Sequence, residues 1–254
     1  MSDHTSAEFR FYEELNDFLP DHLRRRSFSY RFRGTPSVKD AIEAIGVPHT
    51  EVDLVLVDGR SVDFAHRLAG GERVAVYPVF ERLDIAPLTR LRPQPLRVTR
   101  FVLDVHLGKL ARYLRLAGFD TAYRTHCDDR ELIRLSLEEG RILLSRDVGL
   151  LKHGSVTHGH WLRATDPRLQ LREVIAVFDL RDSLRVFTRC MVCNGELRRV
   201  DKAEVMDRLP PRVRVAFAEF AQCAGCGRVY WPGSHYDRMR KLLEDVREDA
   251  ADEA

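Results

Sequence analysis

The chain has 254 residues, 44% of them hydrophobic, with a formal net charge of +2. That apolar content excludes a chain too polar to build cores, and the near-balance of charge gives no global pull toward nucleic acid or membrane surface. With no apolar run of about 18 residues, a membrane-spanning helix is not expected.

The first residues, MSDHTSAEFR, lack the apolar core of a secretory signal. Four of the five cysteines stand in CxxC pairs, which points to metal ligation in a reducing cytoplasm rather than to disulfides. A cytoplasmic location and no membrane partner are therefore expected.

In chain order, Phe9 to Tyr12 reads as a strand and Ser27 to Phe32 as its alternating partner. Gly34-Thr35-Pro36 is a turn. Ser37 caps a short helix from Val38 to Ile45, which Gly46 closes. Val52 to Val57 is a strand, Asp58-Gly59 a tight turn, and Arg60 to Phe64 the return of a hairpin. A last strand runs from Arg73 to Val79. This order resembles the β-grasp, or ubiquitin-like, fold. GTPSVKDAIEAIGVP, LVLVDGR and ERVAVYPVF are similar to the small sulfur-carrier proteins of that fold. Those carriers end in a free Gly-Gly; here Gly70-Gly71 is internal, so an adaptor or docking role is expected instead.

Residues 83–96 contain Pro87, Pro93 and Pro95 and read as an extended linker. Residues 82–100 also hold five arginines against the single acid Asp84. Beyond them strands and helices alternate. Strands are expected at 100–104, 119–123, 141–145 and 158–162, and helices at 106–117, 129–139, near 147–151 and at 167–178. Such alternation implies a parallel sheet with right-handed crossovers. A cysteine-bearing module and a charged helix, Tyr236 to about Val246, follow, and the chain closes on an acidic tail.

Two strands of the central module end beside an acid. Phe101-Val102-Leu103 runs into Asp104, and Ile142-Leu143-Leu144 runs into Ser145-Arg146-Asp147. In open α/β sheets ligands bind outside the carboxyl ends of strands. In the helix after Asp104, Leu107, Leu110, Ala111, Leu114 and Ala117 form a core face, with Lys109, Arg112 and Arg115 off it. Asp128 reads as an N-cap completed by Glu131, which leaves Asp129 in the first helical turn. Each acid also has a bland reading. Asp104 and Asp147 can cap the helices that follow them, and Asp129 can stabilise a helix dipole. Carboxylates from different strand ends would suit Mg²⁺ or Mn²⁺, with Lys109, Arg112 and Arg146 as phosphate contacts.

Cys190-x-x-Cys193 and Cys223-x-x-Cys226 are two zinc knuckles, together offering four thiolates to one structural Zn²⁺. Between them, residues 196–222 read as a helix pair broken at Pro210-Pro211. Trp231, beside Arg228, either stacks on an unpaired base or packs the module; His235 is a further phosphate-contact candidate. Cys127 is the unpaired thiol.

Taken together, FVLDVHLGKLARYLRLAGFD, DDRELI, GRILLSRD, RCMVCNGEL and CGRVYWPGSH resemble the Mut7-C family, across nearly the whole chain. The resemblance implies a multi-domain α/β protein. Its parts are an N-terminal β-grasp domain (7–82), the linker (83–96), a PIN-like parallel-sheet α/β ribonuclease domain (97–184), a zinc ribbon with a C-terminal helix (185–246), and a tail (247–254). It further implies a metal-dependent ribonuclease in which Asp104, Asp129 and Asp147 are the acids and Ser145 their small polar companion. A fourth acid is not evident, since Asp166 reads as a helix cap. Single-stranded RNA is the expected partner, with a protein partner for the β-grasp domain. A non-catalytic RNA- or ribosome-binding adaptor and a protein-interaction module are the alternatives.

Overall fold

A computed structural model describes residues 5–78, 91 and 99–248. The N-terminal elements are β1 (Thr5–Phe11), β2 (Phe28–Phe32), α1 (Val38–Ile45), β3 (Val52–Val57), β4 (Arg60–Ser61) and β5 (Arg73–Pro78). The central ones are β6 (Arg100–Leu103), α2 (Gly108–Leu116), β7 (Asp120–Ala122), α3 (Asp129–Glu139), β8 (Ile142–Ser145), α4 (Val148–Leu151), β9 (Gly159–Trp161) and α5 (Pro167–Val177). Last come β10 (Leu197–Val200), α6 (Lys202–Val205), α7 (Pro211–Ala216), β11 (Phe220–Cys223), β12 (Val229–Tyr230) and α8 (Ser234–Glu248). Of the linker expected at 83–96, all but Leu91 lies outside the described residues, as do residues 249–254 of the tail.

Packing divides the chain into two compact units, Met1–Val98 with Ile133–Trp161, and Thr99–Leu132 with Leu162–Ala254. In the first, five strands pair in the order β2-β1-β5-β3-β4, with β1 parallel to β5 and antiparallel to β2. Alternation along β1 buries Ala7, Phe9 and Phe11 against Leu15, Ile42, Val55, Leu68 and Val76. Ser37 and Asp40 cap α1 reciprocally: each backbone N–H donates to the other's side chain, at 3.2 and 3.1 Å. The hairpin strand expected to reach Phe64 stops at Ser61. The chain turns away because the carbonyls of Phe64 and His66 accept the N–H groups of Lys39 and Val38 at the start of α1.

The same unit holds β8 and β9, paired in parallel, with α4 between them. Buried polar groups tie this segment to the N-terminal elements. Glu51 is 3% exposed; its carboxylate accepts the Trp161 N–H at 2.5 Å and lies 3.3 Å from His160 Nδ1. Both ring nitrogens of His49 meet acceptors, Glu43 Oε1 at 2.6 Å and the Val156 carbonyl at 2.7 Å. The Phe18 ring lies 4.8 Å from that of Trp161.

In the second unit β6 and β7 are parallel, and α5 packs on α2. The expected apolar face of α2 is buried: Leu107, Leu110, Ala111, Leu114 and Ala117 are each at most 3% exposed. The helix expected over 106–117 begins instead with a 3₁₀ turn, Val105–Leu107. Gly118 ends it at φ +100, where a Cβ would lie 2.3 Å from the Arg185 carbonyl oxygen. The segment between the CxxC pairs holds the two expected short helices, α6 and α7, and β10 and β11 flank them in an antiparallel sheet with β12. Val205, Leu209 and Phe220 form its core, with Trp231 packed against it. No described helix is long and apolar enough to cross a membrane.

Candidate metal centre, acids and cleft

The two CxxC turns repeat one geometry. The N–H of Asn194 returns to the Cys190 carbonyl at 2.9 Å, and that of Gly227 to the Cys223 carbonyl at 3.0 Å. Cys190 and Cys223 in turn donate to the carbonyls of Gly195 and Arg228. The hairpins face each other so closely that a Cβ on Gly195 would lie 2.9 Å from Cys223 Sγ. As a result Cys190 Sγ is 3.6 Å from Cys226 Sγ, Cys193 Sγ is 3.3 Å from Cys223 Sγ, and all four sulfurs lie within 4.8 Å of one another. Four thiolates about 2.3 Å from a tetrahedral ion stand roughly 3.8 Å apart, so the quartet fits Zn²⁺ and closes its coordination sphere. Burial would raise the Cys190 thiol, but hydrogen bonds from the Tyr230 hydroxyl and from the N–H groups of Cys193 and Val192 bring it down to about 6. Tyr230 Oη stands 3.1 Å from this sulfur.

The quartet is anchored to α2 and β7. Arg115, read from the sequence as lying off the core face, is 4% exposed. Its guanidinium donates to the carbonyls of Thr121, Met191 and Val192 at 3.0, 3.2 and 2.8 Å. Asn194 donates to Asp120 Oδ1 at 2.8 Å and accepts the Thr121 N–H at 3.0 Å. Helical periodicity has no means of showing Arg115, because its burial comes from a turn far along the chain. Asn194-Gly195 did carry a signal: Asn tolerates the left-handed backbone, here φ +70, that the turn requires.

The acids occupy the strand and helix ends that the sequence indicated. Half-buried Asp104 follows β6 and leads the 3₁₀ turn, but its side chain makes no capping hydrogen bond. Asp129 opens α3 and is exposed, while Asp128 accepts the Glu131 N–H at 2.8 Å as the expected cap. Asp147, exposed after β8, caps α4 through Oδ1, which accepts the Gly149 N–H at 2.7 Å. Ser145 is fully buried, and its Oγ accepts the Asp147 N–H at 2.9 Å. Ser145 thus shapes the turn that presents Asp147. Asp104 and Asp129 belong to one packing unit, Ser145 and Asp147 to the other. Asp166 caps α5, as expected.

A cleft of about 1540 Å³ in the second unit collects several of the basic and aromatic candidates. Lys109 and Arg112 line it from α2, and Arg228 and Trp231 from the cysteine module. Arg146 lies in the other unit, exposed beside Asp147. His235 falls in the first turn of α8, and its side chain lies outside the described residues. Sequence reasoning missed the stacked pair Phe187 and Tyr236, whose ring centroids are 3.9 Å apart beside the same cleft.

Compared with known proteins, residues 99–243 match a family model described as the Mut7-C RNAse domain, and residues 4–84 one described as Mut7-C ubiquitin. No curated protein and no solved structure matches the chain.

Proposed function

The chain belongs to the Mut7-C RNAse family, and from that premise we propose that it is a metal-dependent endoribonuclease of the cytoplasm whose acids are Asp104, Asp129 and Asp147. The observation that supports this most is the place of Asp104: it stands at the carboxyl end of the buried strand Phe101–Leu103, where α/β sheets hold their ligands. Asp129, exposed in the first turn of α3, makes no hydrogen bond or ion pair through its side chain among the described residues, so its oxygens are available to a ligand. Carboxylate oxygens are the donors that hard ions such as Mg²⁺ and Mn²⁺ take. When bound, such an ion would supply a water of lowered pKa and offset charge on the phosphate. Ser145 fixes the turn that carries Asp147, and with Oδ1 on Gly149 the second carboxylate oxygen is left to face a ligand. Lys109, Arg112 and Arg146 serve as phosphate contacts, and Trp231 and His235 as further RNA contacts. The four cysteines hold a structural Zn²⁺ that keeps the knuckles on α2. The β-grasp elements serve a protein partner.

Cleavage of a short single-stranded RNA by the zinc-loaded chain, with Mn²⁺ or Mg²⁺ added, tests this. Asp104→Asn and Asp147→Asn should each lower the rate at least about a hundredfold, the scale of a lost catalytic group. Wild-type protein that binds RNA yet never cuts it at any Mn²⁺ concentration would leave a binding adaptor instead.

A further inference from the structure

The cleft beside α2 is larger than the roughly 300–1,000 Å³ of pockets built for small molecules. Four cations line it: Lys109, Arg112, Arg199 and Arg228. All four are exposed, and among the described residues none of their side chains is paired with an acid. Of the three acids on its rim, Asp201 and Glu204 are already engaged in capping α6 reciprocally, and Glu219 is the third. Aromatic rings stand among the cations. Trp231 is half-buried, and Phe187 and Tyr236, stacked on each other, line the same cleft. Phe187 holds φ +59, a region bulky residues avoid, and its N–H donates to the Leu116 carbonyl at 3.0 Å. The fold thus maintains a costly backbone where it presents a ring. Unpaired cations beside stacking surfaces are the combination that holds single strands: phosphates take the charge, and only unpaired bases offer a face to a ring.

We propose that this cleft is the groove that holds a single-stranded RNA segment, with phosphates on Lys109, Arg112 and Arg228 and bases on Trp231 and the Phe187–Tyr236 pair. The choice of RNA over another polyanion rests on the ribonuclease reading above. The groove would confine the substrate to unpaired stretches.

The test uses the zinc-loaded full chain with no Mg²⁺ or Mn²⁺ added, and fluorescence anisotropy of a labelled oligouridine of about ten nucleotides. Saturable binding is expected. The combined variant Lys109→Glu, Arg112→Glu, Arg228→Glu should weaken it at least about tenfold, and removing three phosphate contacts should flatten the log-log salt slope by about 2. Arg31→Glu, on the exposed side of β2, should leave binding unchanged. RNA should quench tryptophan fluorescence in the wild type, and the quench should fall sharply in Trp231→Phe, which keeps a ring in the packed cluster. Unchanged affinity in the triple variant, no quench in the wild type, or tighter binding of duplex RNA or an acidic peptide overturns the groove. Because no divalent ion is added, binding reports on the groove alone. Normal binding with cleavage lost in neither aspartate variant would instead overturn the acids.

Discussion

Tyr230 illustrates how single atoms tune the cysteine quartet. Its hydroxyl donates to the Cys190 thiolate from 3.1 Å, a second-layer contact of the kind that orients metal ligands. Tyr230→Phe should weaken Zn²⁺ binding about ten- to a hundredfold, read by competition with a chromogenic chelator. Cys127 is the opposite case. Burial, with Glu131 beside it, pushes its thiol up to about 11. At pH 8 alkylation of Cys127 should therefore run roughly a hundredfold slower than that of a free thiol with a pKa near 8.5, as mass spectrometry of the zinc-loaded chain would show. The sign for stability follows. A thiol kept neutral by the fold contributes fully below its unfolded value and loses that contribution as pH rises toward 11. At this scale the sequence disclosed residues whose role is local, such as the caps Ser37, Asp128 and Asp166. It did not disclose Arg115, Tyr230 or Phe187, each of which has a partner tens of residues away.

Among elements, α2 carries the most. One face makes the core, its C-terminal end receives the Arg185–Phe187 strap, and Arg115 holds the cysteine knuckle. Arg115→Met removes the donor from three carbonyls and should cost about 1–3 kcal/mol in urea unfolding, with faster zinc release. Gly118→Ala should cost more than about 1 kcal/mol, since both the positive φ and the 2.3 Å approach to the Arg185 carbonyl oppose a side chain. The periodicity of α2 and the alternation of β1 were plain in the sequence because both reflect burial of one face. The early end of β4 was not, because it depends on carbonyls from residues 64 and 66 finding donors on α1.

For the whole molecule, the units of packing cross the modules that composition and motif suggest. Residues 133–161 are compact with the N-terminal elements, through Glu51, His160 and His49. Glu51→Leu removes the buried carboxylate that meets the Trp161 N–H and His160 and should cost about 3 kcal/mol, measured as a lowered urea midpoint. No local pattern announces such a contact: a His or Glu in a turn reads as surface until the opposing segment is in place. The most direct measurement for the central claim is a Mn²⁺ titration of the zinc-loaded chain followed by electron paramagnetic resonance. If Asp104, Asp129 and Asp147 act on the same ions, binding should saturate at one or two Mn²⁺, yield to Mg²⁺, and weaken at least about tenfold in each single Asp→Asn variant. Saturable binding that none of the three substitutions changes, or no saturable binding at all, would contradict it.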